Sequence, residues 1–344
     1  MGKAPDRLNS GYYPPHRNDP PPQRPEPKRK LNIPRLCLLI ACIVVFCFCA
    51  YELIHYFTDI LRTRRSTEEL GAVYAASETV APSEAVPTAT VPPVPSATQA
   101  VATIEPTVAA ASPTTDPQSA AALWPSTYAT NPRLTISQRF LDLLEKNDDI
   151  VGWLTIKGVV DEPVVQRDNE FYLTHNASGD KSVTGALFLD ETCDLRTIST
   201  QLIVHGHNMK EGAMFGSLKN YKVRSAAFYR ENPYITFNTL YEDGQYVIFA
   251  ALSVDVRSAK RDYLPFWSYT RFASADAFTR YINRVRSLSH YSCGVSVEPG
   301  DRLLTLSTCT GTDENMRFLL MARKLRDDED MTKLKTQILA TGDK

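Results

Sequence analysis

The chain has 344 residues, a formal net charge of −1 and 23 prolines, nine of them in residues 1–35 and ten in residues 66–132. Those two segments hold too little apolar surface to fold alone, which leaves one globular unit near residues 133–328. The near-neutral total hides a basic start and an acidic spacer, and no basic, aromatic-laced surface of the kind that binds nucleic acid is present.

Residues 1–35 read as a disordered, Pro-rich tail with eight Lys or Arg against three Asp or Glu. From Leu36 to Tyr51 there is no charge, and apolar character continues to Phe57. As a helix, residues 36–57 would span roughly 33 Å, enough to cross a bilayer once. The cluster Lys28, Arg29, Lys30 and Arg35 before it predicts a cytoplasmic N-terminus and an extracytoplasmic remainder, despite Arg62, Arg64 and Arg65 on the outer side. A cleaved signal peptide and a buried core helix are the alternatives. The long preamble, the lack of a small-residue cleavage site and the Pro-rich flanks argue against them. Residues 58–132 read as an extracytoplasmic Ala/Pro/Thr/Ser-rich linker, whose acidic stretch from Ser66 would hold its ends on the order of 45 Å apart as a flexible coil.

The folded unit opens with a predicted helix from Ser137 to Lys146, with Ile136, Phe140, Leu143 and Leu144 on one face and Thr135 or Ser137 as cap. Eight strands follow, at 152–156, 162–166, 186–189, 202–205, 235–237, 245–252, 302–308 and 317–323. Their spacing suggests a mainly β fold, an antiparallel or mixed barrel with added helices. One long helix interrupts them from Ser274 to Ser289, with Phe278, Tyr281, Ile282, Val285 and Leu288 as its apolar stripe and Arg280, Arg284 and Arg286 toward water. Residues 329–344 read as a loose charged tail.

Seven cysteines are present, four in the apolar run and three outside it: Cys193, Cys293 and Cys309. The odd count outside leaves at least one unpaired within the chain. Cys193 and Cys293 read as packed or surface thiols, with a disulfide between them as the alternative. No Cys-x-x-Cys pair outside the apolar run suggests zinc, and no metal or cofactor is expected.

Cys309 ends a strand whose alternation puts Thr305, Ser307 and Cys309 on one face. A cysteine is a nucleophile only as thiolate, so a neighbour must take its proton or stabilise the anion. His205 and His207 follow an apolar strand and are the candidates. Arg317, at the start of the strand after Cys309, is placed to face it across a hairpin and hold a carbonyl oxygen or oxyanion. Residue types alone leave blander alternatives open: an inert packed thiol, a structural histidine and a surface arginine.

Longer motifs carry a resemblance. Leu306-Ser307-Thr308-Cys309-Thr310 with Arg317-Phe318, and Val204-His205-Gly206-His207-Asn208-Met209 with Gly212-Ala213-Met214-Phe215, resemble the blocks of class B sortases, cysteine transpeptidases of Gram-positive bacteria. Pro163-Val164-Val165-Gln166, residues 168–173 and residues 185–190 are similar to the same class, as are the opening helix leading into Gly152-Trp153-Leu154 and the helix from Ser274. The resemblance implies a sortase-type eight-stranded β-barrel with an N-terminal helix and a long helix between strands 6 and 7. It implies Cys309 as nucleophile, His207 as catalytic histidine and Arg317 as the oxyanion-holding or substrate-holding arginine. It also implies substrate-binding positions for Ser307, Thr308 and Asn208, and a groove wall formed by the loop from Ser258 to Trp267. His205 stands where relatives often carry Tyr or another residue. The implied reaction is cleavage after Thr of a C-terminal sorting signal of LPxTG or NPxT type on a surface protein. Transfer to an amine of a peptidoglycan precursor follows, at the cell membrane. The alternatives are a pilin-polymerising sortase with a lysine acceptor, and a cysteine hydrolase of the same fold.

Overall fold

The computed structural model describes residues 33–79, 134–197, 199–209, 213–310 and 313–343. The Pro-rich tail before residue 33 and most of the Pro-rich spacer lie outside the described residues. Two units divide the chain, Met1–Ile54 and His55–Lys344. The described part of the first is the apolar opening of helix α1 (Ile33–Thr79), whose side chains there are almost all exposed. That helix is long and apolar enough to cross a bilayer.

Helix α1 corrects the expected boundary at residue 57. Residues 58–79, assigned above to the linker, remain helical, because no proline falls between Pro34 and Pro82. Thr63, Leu70 and Tyr74 recur at helical spacing on its buried side. Tyr74 stacks on Trp153, ring centroids 4.6 Å apart, and its hydroxyl accepts from Asn238 Nδ2 at 2.8 Å. Asp59 accepts from the Val183 N–H and the Ser182 hydroxyl. Helix α2 (Gln138–Leu144) packs beside this segment, with the Tyr74 and Phe140 rings 5.6 Å apart and the Ser77 hydroxyl 3.4 Å from Asp142. Both residues flanking the undescribed 80–133 stretch are thus on one unit, so that stretch joins two points of the same body. Ser137 precedes α2 without a side-chain cap; its N–H instead donates to the Leu240 carbonyl at 2.7 Å.

The core of the second unit is a closed mixed barrel. Its strands are β1 (Ile150–Ile156), β2 (Val160–Val165), β3 (Leu187–Leu189), β4 (Gln201–His205), β5 (Tyr234–Thr239) and β6 (Gln245–Asp255). A short β7 (Tyr291–Ser292) lies outside the barrel, and β8 (Leu303–Cys309) and β9 (Met316–Lys324) complete it. The order around the barrel is β1-β2-β3-β4-β8-β9-β6-β5. All eight expected strands are present. The β2–β3 and β4–β8 pairs are parallel and the others antiparallel. Closure leaves no barrel edge unpaired. The strands β4, β8 and β9 are largely buried on both faces because helices and loops cover the outside.

Helices α3 (Asn220–Val223) and α4 (Ser225–Glu231) lie between β4 and β5. Helix α5 (Ala275–Leu288) falls between the sixth and seventh barrel strands, as the resemblance implied. Ser274 caps it, its hydroxyl accepting from the Ala277 N–H at 3.1 Å. Phe278, Tyr281, Ile282 and Val285 are buried. Arg284 and Arg286, expected toward water, donate to the carbonyls of Arg261 and Val295, because the loops flanking α5 fold back over it.

The expected loose tail is also corrected. Residues after 328 form α6 (Met331–Leu339) and β10 (Gly342–Asp343), which pairs with β7. Leu334 and Ile338 are buried, and Glu329 makes two hydrogen bonds, at 2.7 and 2.9 Å, with the wholly buried Arg323. A charged composition concealed two apolar residues at i, i+4 spacing and a partner for a core guanidinium. The three cysteines of this unit are free, so no Cys193–Cys293 disulfide forms. Burial pushes the Cys193 thiol up to about 12.

Candidate active site

The site forms at the C-terminal end of β8. Its apolar run of Leu303, Leu304 and Leu306 is buried between β4 and β9, while Cys309 at the end is partly exposed. Cys309 is paired directly with Arg317 on β9, and Ser307 with His205 on β4. Directly paired residues share a face, so Phe188, His205, Ser307, Cys309 and Arg317 point the same way across four neighbouring strands. They line a cavity of about 600 Å³ together with His207.

His207 lies two residues beyond β4, where Gly206 has let the chain pass close to Leu187 and Phe215. Its Nε2 lies 2.9 Å from the Leu173 carbonyl oxygen. A carbonyl only accepts, so Nε2 carries the proton and Nδ1 is the nitrogen left for chemistry. Gly185, at φ +61°, makes room: a Cβ there would meet the Tyr172 carbonyl at 2.6 Å and the His207 ring at 3.0 Å.

Arg317 is held by its own turn, Nη1 donating to the carbonyls of Glu314 and Met316. Asp313 shapes that turn by accepting from the Asn315 N–H at 2.9 Å. Arg257 ties it to the end of β6, bridging Asp255 and Asp313. The hydrogen bond from Arg257 outweighs the opposing effect of burial and holds Asp255 down at about 2.

The other predicted residues divide. Ser307 and Thr308 line the cavity, and their buried hydroxyls have no hydrogen-bond partner among the described residues. Asn208, expected to bind substrate, is not among the lining residues; its amide donates to the Cys309 carbonyl at 3.0 Å and fixes the backbone at the end of β8. Trp267 and Val256, at or beside the loop expected to form a wall, line the cavity as well.

Sequence reasoning missed Asp190, which follows β3 and is 3% exposed. It accepts from His205 Nε2 at 3.0 Å, from the Thr192 hydroxyl at 2.6 Å and N–H at 3.0 Å, and from Asn169 Nδ2 at 3.3 Å. Burial raises its pKa, but the bonds from His205 and Thr192 outweigh that, and the carboxyl stays below its ordinary range. A carboxylate closing the apolar run Leu187-Phe188-Leu189 was the available signal. Among the described residues, no group of three or more His, Cys, Asp or Glu could hold a metal ion.

A family model described as the sortase domain matches residues 156–325. Sortase B of Listeria monocytogenes is 32% identical over 182 residues, 52% of this chain and 70% of that protein. The chain belongs to the sortase family, class B. Sortase B of Staphylococcus aureus is 26% identical over 195 residues, 56% of this chain and 76% of that protein. The crystal structure of sortase B from B. anthracis in complex with AAEK2 superposes with a TM-score of 0.50 at 28% identity, covering 57% of this chain and 86% of that one. The closed eight-stranded barrel with its inserted α5 is the sortase architecture, and membership makes the protein an enzyme of the cysteine transpeptidase type.

Proposed function

We propose that this sortase cleaves a C-terminal sorting signal of LPxTG or NPxT type after its threonine and transfers the acyl part to an amine of peptidoglycan. The observation that carries this reading is the meeting of Cys309, His207 and Arg317 on one cavity at the end of β8. The sulfur of Cys309, as thiolate, attacks the threonine carbonyl. Charge develops on the carbonyl oxygen, and the Arg317 guanidinium, paired directly across the hairpin, is within reach of it. His207 Nδ1, having taken the Cys309 thiol proton as the thiolate formed, gives it to the leaving amine, and a thioester remains. The acceptor amine attacks that thioester, His207 takes its proton back, and the Cys309 thiolate leaves. The thioester conserves acyl energy, so this chemistry draws on no cofactor. The unpartnered hydroxyls of Ser307 and Thr308 suit hydrogen bonding with the bound peptide, while Asn208 holds the Cys309 backbone in place.

The apolar opening of α1 serves in this reading as a single-pass membrane anchor. Lys28, Arg29, Lys30 and Arg35 keep the N-terminus in the cytoplasm and the catalytic unit outside.

The test is incubation of the full chain with a panel of sorting-signal pentapeptides, with and without an amine, read by mass spectrometry. The expected result is a thioester on Cys309, an amide product when amine is present, and neither with Cys309→Ala. Cleavage of the peptides by Cys309→Ala would overturn the assignment.

A further inference from the structure

His207 and Cys309 leave one proton unaccounted for in the second half-reaction. After acylation His207 is neutral and can take one proton, which suffices for an acceptor that arrives as a free amine. A primary alkylamine at pH 7 is almost entirely ammonium, with about one molecule in 2,500 unprotonated. An ammonium brings a second proton that neither the thioester nor His207 absorbs.

The cavity holds another imidazole. His205 stands on β4 in register with Ser307, diagonal to Cys309 on the adjacent strand and therefore on the same face. Diagonal neighbours are roughly 7–8 Å apart at the backbone, within reach of long side chains. The strand order β3-β4-β8-β9 puts Asp190 and His205 on one side of the nucleophile and Arg317 on the other. Among the described residues, the charged and titratable groups lining the cavity are Asp190, Glu191, His205, His207, Cys309 and Arg317, with no lysine among them. The guanidinium side repels an incoming ammonium, and the Asp190–Glu191 side attracts it.

Asp190 is surrounded by donors on both oxygens, so it orients His205 rather than binding substrate itself. Its carboxylate accepts from His205 Nε2, which fixes the proton there. Nδ1 then carries the lone pair, and among the described residues it has no hydrogen-bond partner. Phe188 stacks on the ring at 5.2 Å and holds its plane. A carboxylate behind an imidazole stabilises the imidazolium formed when the front nitrogen takes a proton.

We propose that His205, oriented by Asp190, is the base that removes the surplus proton from the ammonium of the acceptor on the side of the cavity away from Arg317. This rests on the transpeptidase reading above. The steps balance: the ammonium gives one proton to His205 Nδ1, and its nitrogen bonds to the thioester carbon. The second proton passes to His207, the carbon–sulfur bond breaks, and Cys309 leaves as thiolate. His205 then returns its proton to solvent.

The test uses the full chain and its His205→Gln and Asp190→Asn variants. Each is acylated with a sorting-signal peptide and partitioned at pH 7 between water and one of two nucleophiles. One nucleophile is the Nα-acetyl-lysine amide, an ammonium at that pH; the other is hydroxylamine, already neutral. Both variants are expected to lose at least about tenfold in the amide-to-acid product ratio with the lysine derivative, and to keep the wild-type ratio with hydroxylamine. An equal loss with both nucleophiles, or no loss, overturns the proposal. A variant that no longer forms the thioester also overturns it, because His205 would then act in the first half-reaction. A wild-type chain that forms no thioester with any peptide counts instead against the transpeptidase reading.

Discussion

Tyr74 of α1 lies flat on Trp153 of β1, the two rings 9° from parallel. The contact joins the segment after the apolar run to the first barrel strand, and it makes residues 55–79 part of the catalytic body. Tyr74→Ala removes a buried ring and leaves the Asn238 amide without its acceptor. It should lower unfolding stability by about 3–5 kcal/mol, and Tyr74→Phe by about 1 kcal/mol. Denaturant unfolding of the three proteins measures both. A chain beginning at residue 134 should melt below one beginning at residue 55, and equal melting temperatures would show that the helix contributes nothing.

Glu162 lies in β2 next to Thr67 of α1 and Asp161. Burial raises its pKa, the hydrogen bond with Thr67 opposes that, and the Asp161 charge adds to it; the result is about 7. The folded state therefore holds this proton more tightly than the unfolded chain. Stability from this group is full below about pH 4.5 and is lost as pH rises to about 7. The loss is at most about 3 kcal/mol, less to the extent that solvent reaches the carboxyl. Glu162→Gln should be the more stable protein at pH 8 and should lack this decline. Unfolding curves at pH 5 and pH 8 decide it, and a parallel decline in both proteins would assign it to other groups.

Ser307 has a buried hydroxyl with no partner among the described residues, directly between His205 and the end of β8. Removing such a group costs the folded chain nothing, so Ser307→Ala should unfold at the wild-type midpoint or above it. If bound peptide supplies the missing partner, KM for the peptide should rise about fivefold to tenfold with kcat little changed. Steady-state kinetics beside a melting curve separates the two effects.

Arg323 is wholly buried, and Glu329 neutralises it from the segment before α6. The guanidinium bonds hold the Glu329 carboxyl below its ordinary range, against a smaller opposing effect of burial. Glu329→Ala leaves a buried cation with carbonyl partners and a more distant Asp301. A loss of about 3 kcal/mol is expected. Removal of residues 329–344 should cost more, since Leu334 and Ile338 leave the core as well. Thermal unfolding of the point variant and the truncation checks the order.

The chain sequence determined the eight strands and the inserted helix, and it singled out the thiol, imidazole and guanidinium of the proposed site. Each depends on local pattern: period-2 runs between turn residues, a period-3.6 stripe behind a Ser cap, and short motifs around Cys309, His207 and Arg317. Composition misplaced two boundaries, at residues 57 and 329, because residue counts do not register a few apolar side chains that become buried only against a distant surface. Tyr74 needed Trp153, and Glu329 needed Arg323, each far away or on another element. The pairing of Cys309 with Arg317 was legible because a hairpin joins near neighbours. The approach of His205 to Ser307 was not, since it depends on β4 lying parallel to a strand about 100 residues later; nor was that of Asp190 to His205, which depends on the antiparallel register of β3 on β4. Barrel closure decides the first neighbour relation, and the β3–β4 register decides which of the two histidines faces the carboxylate.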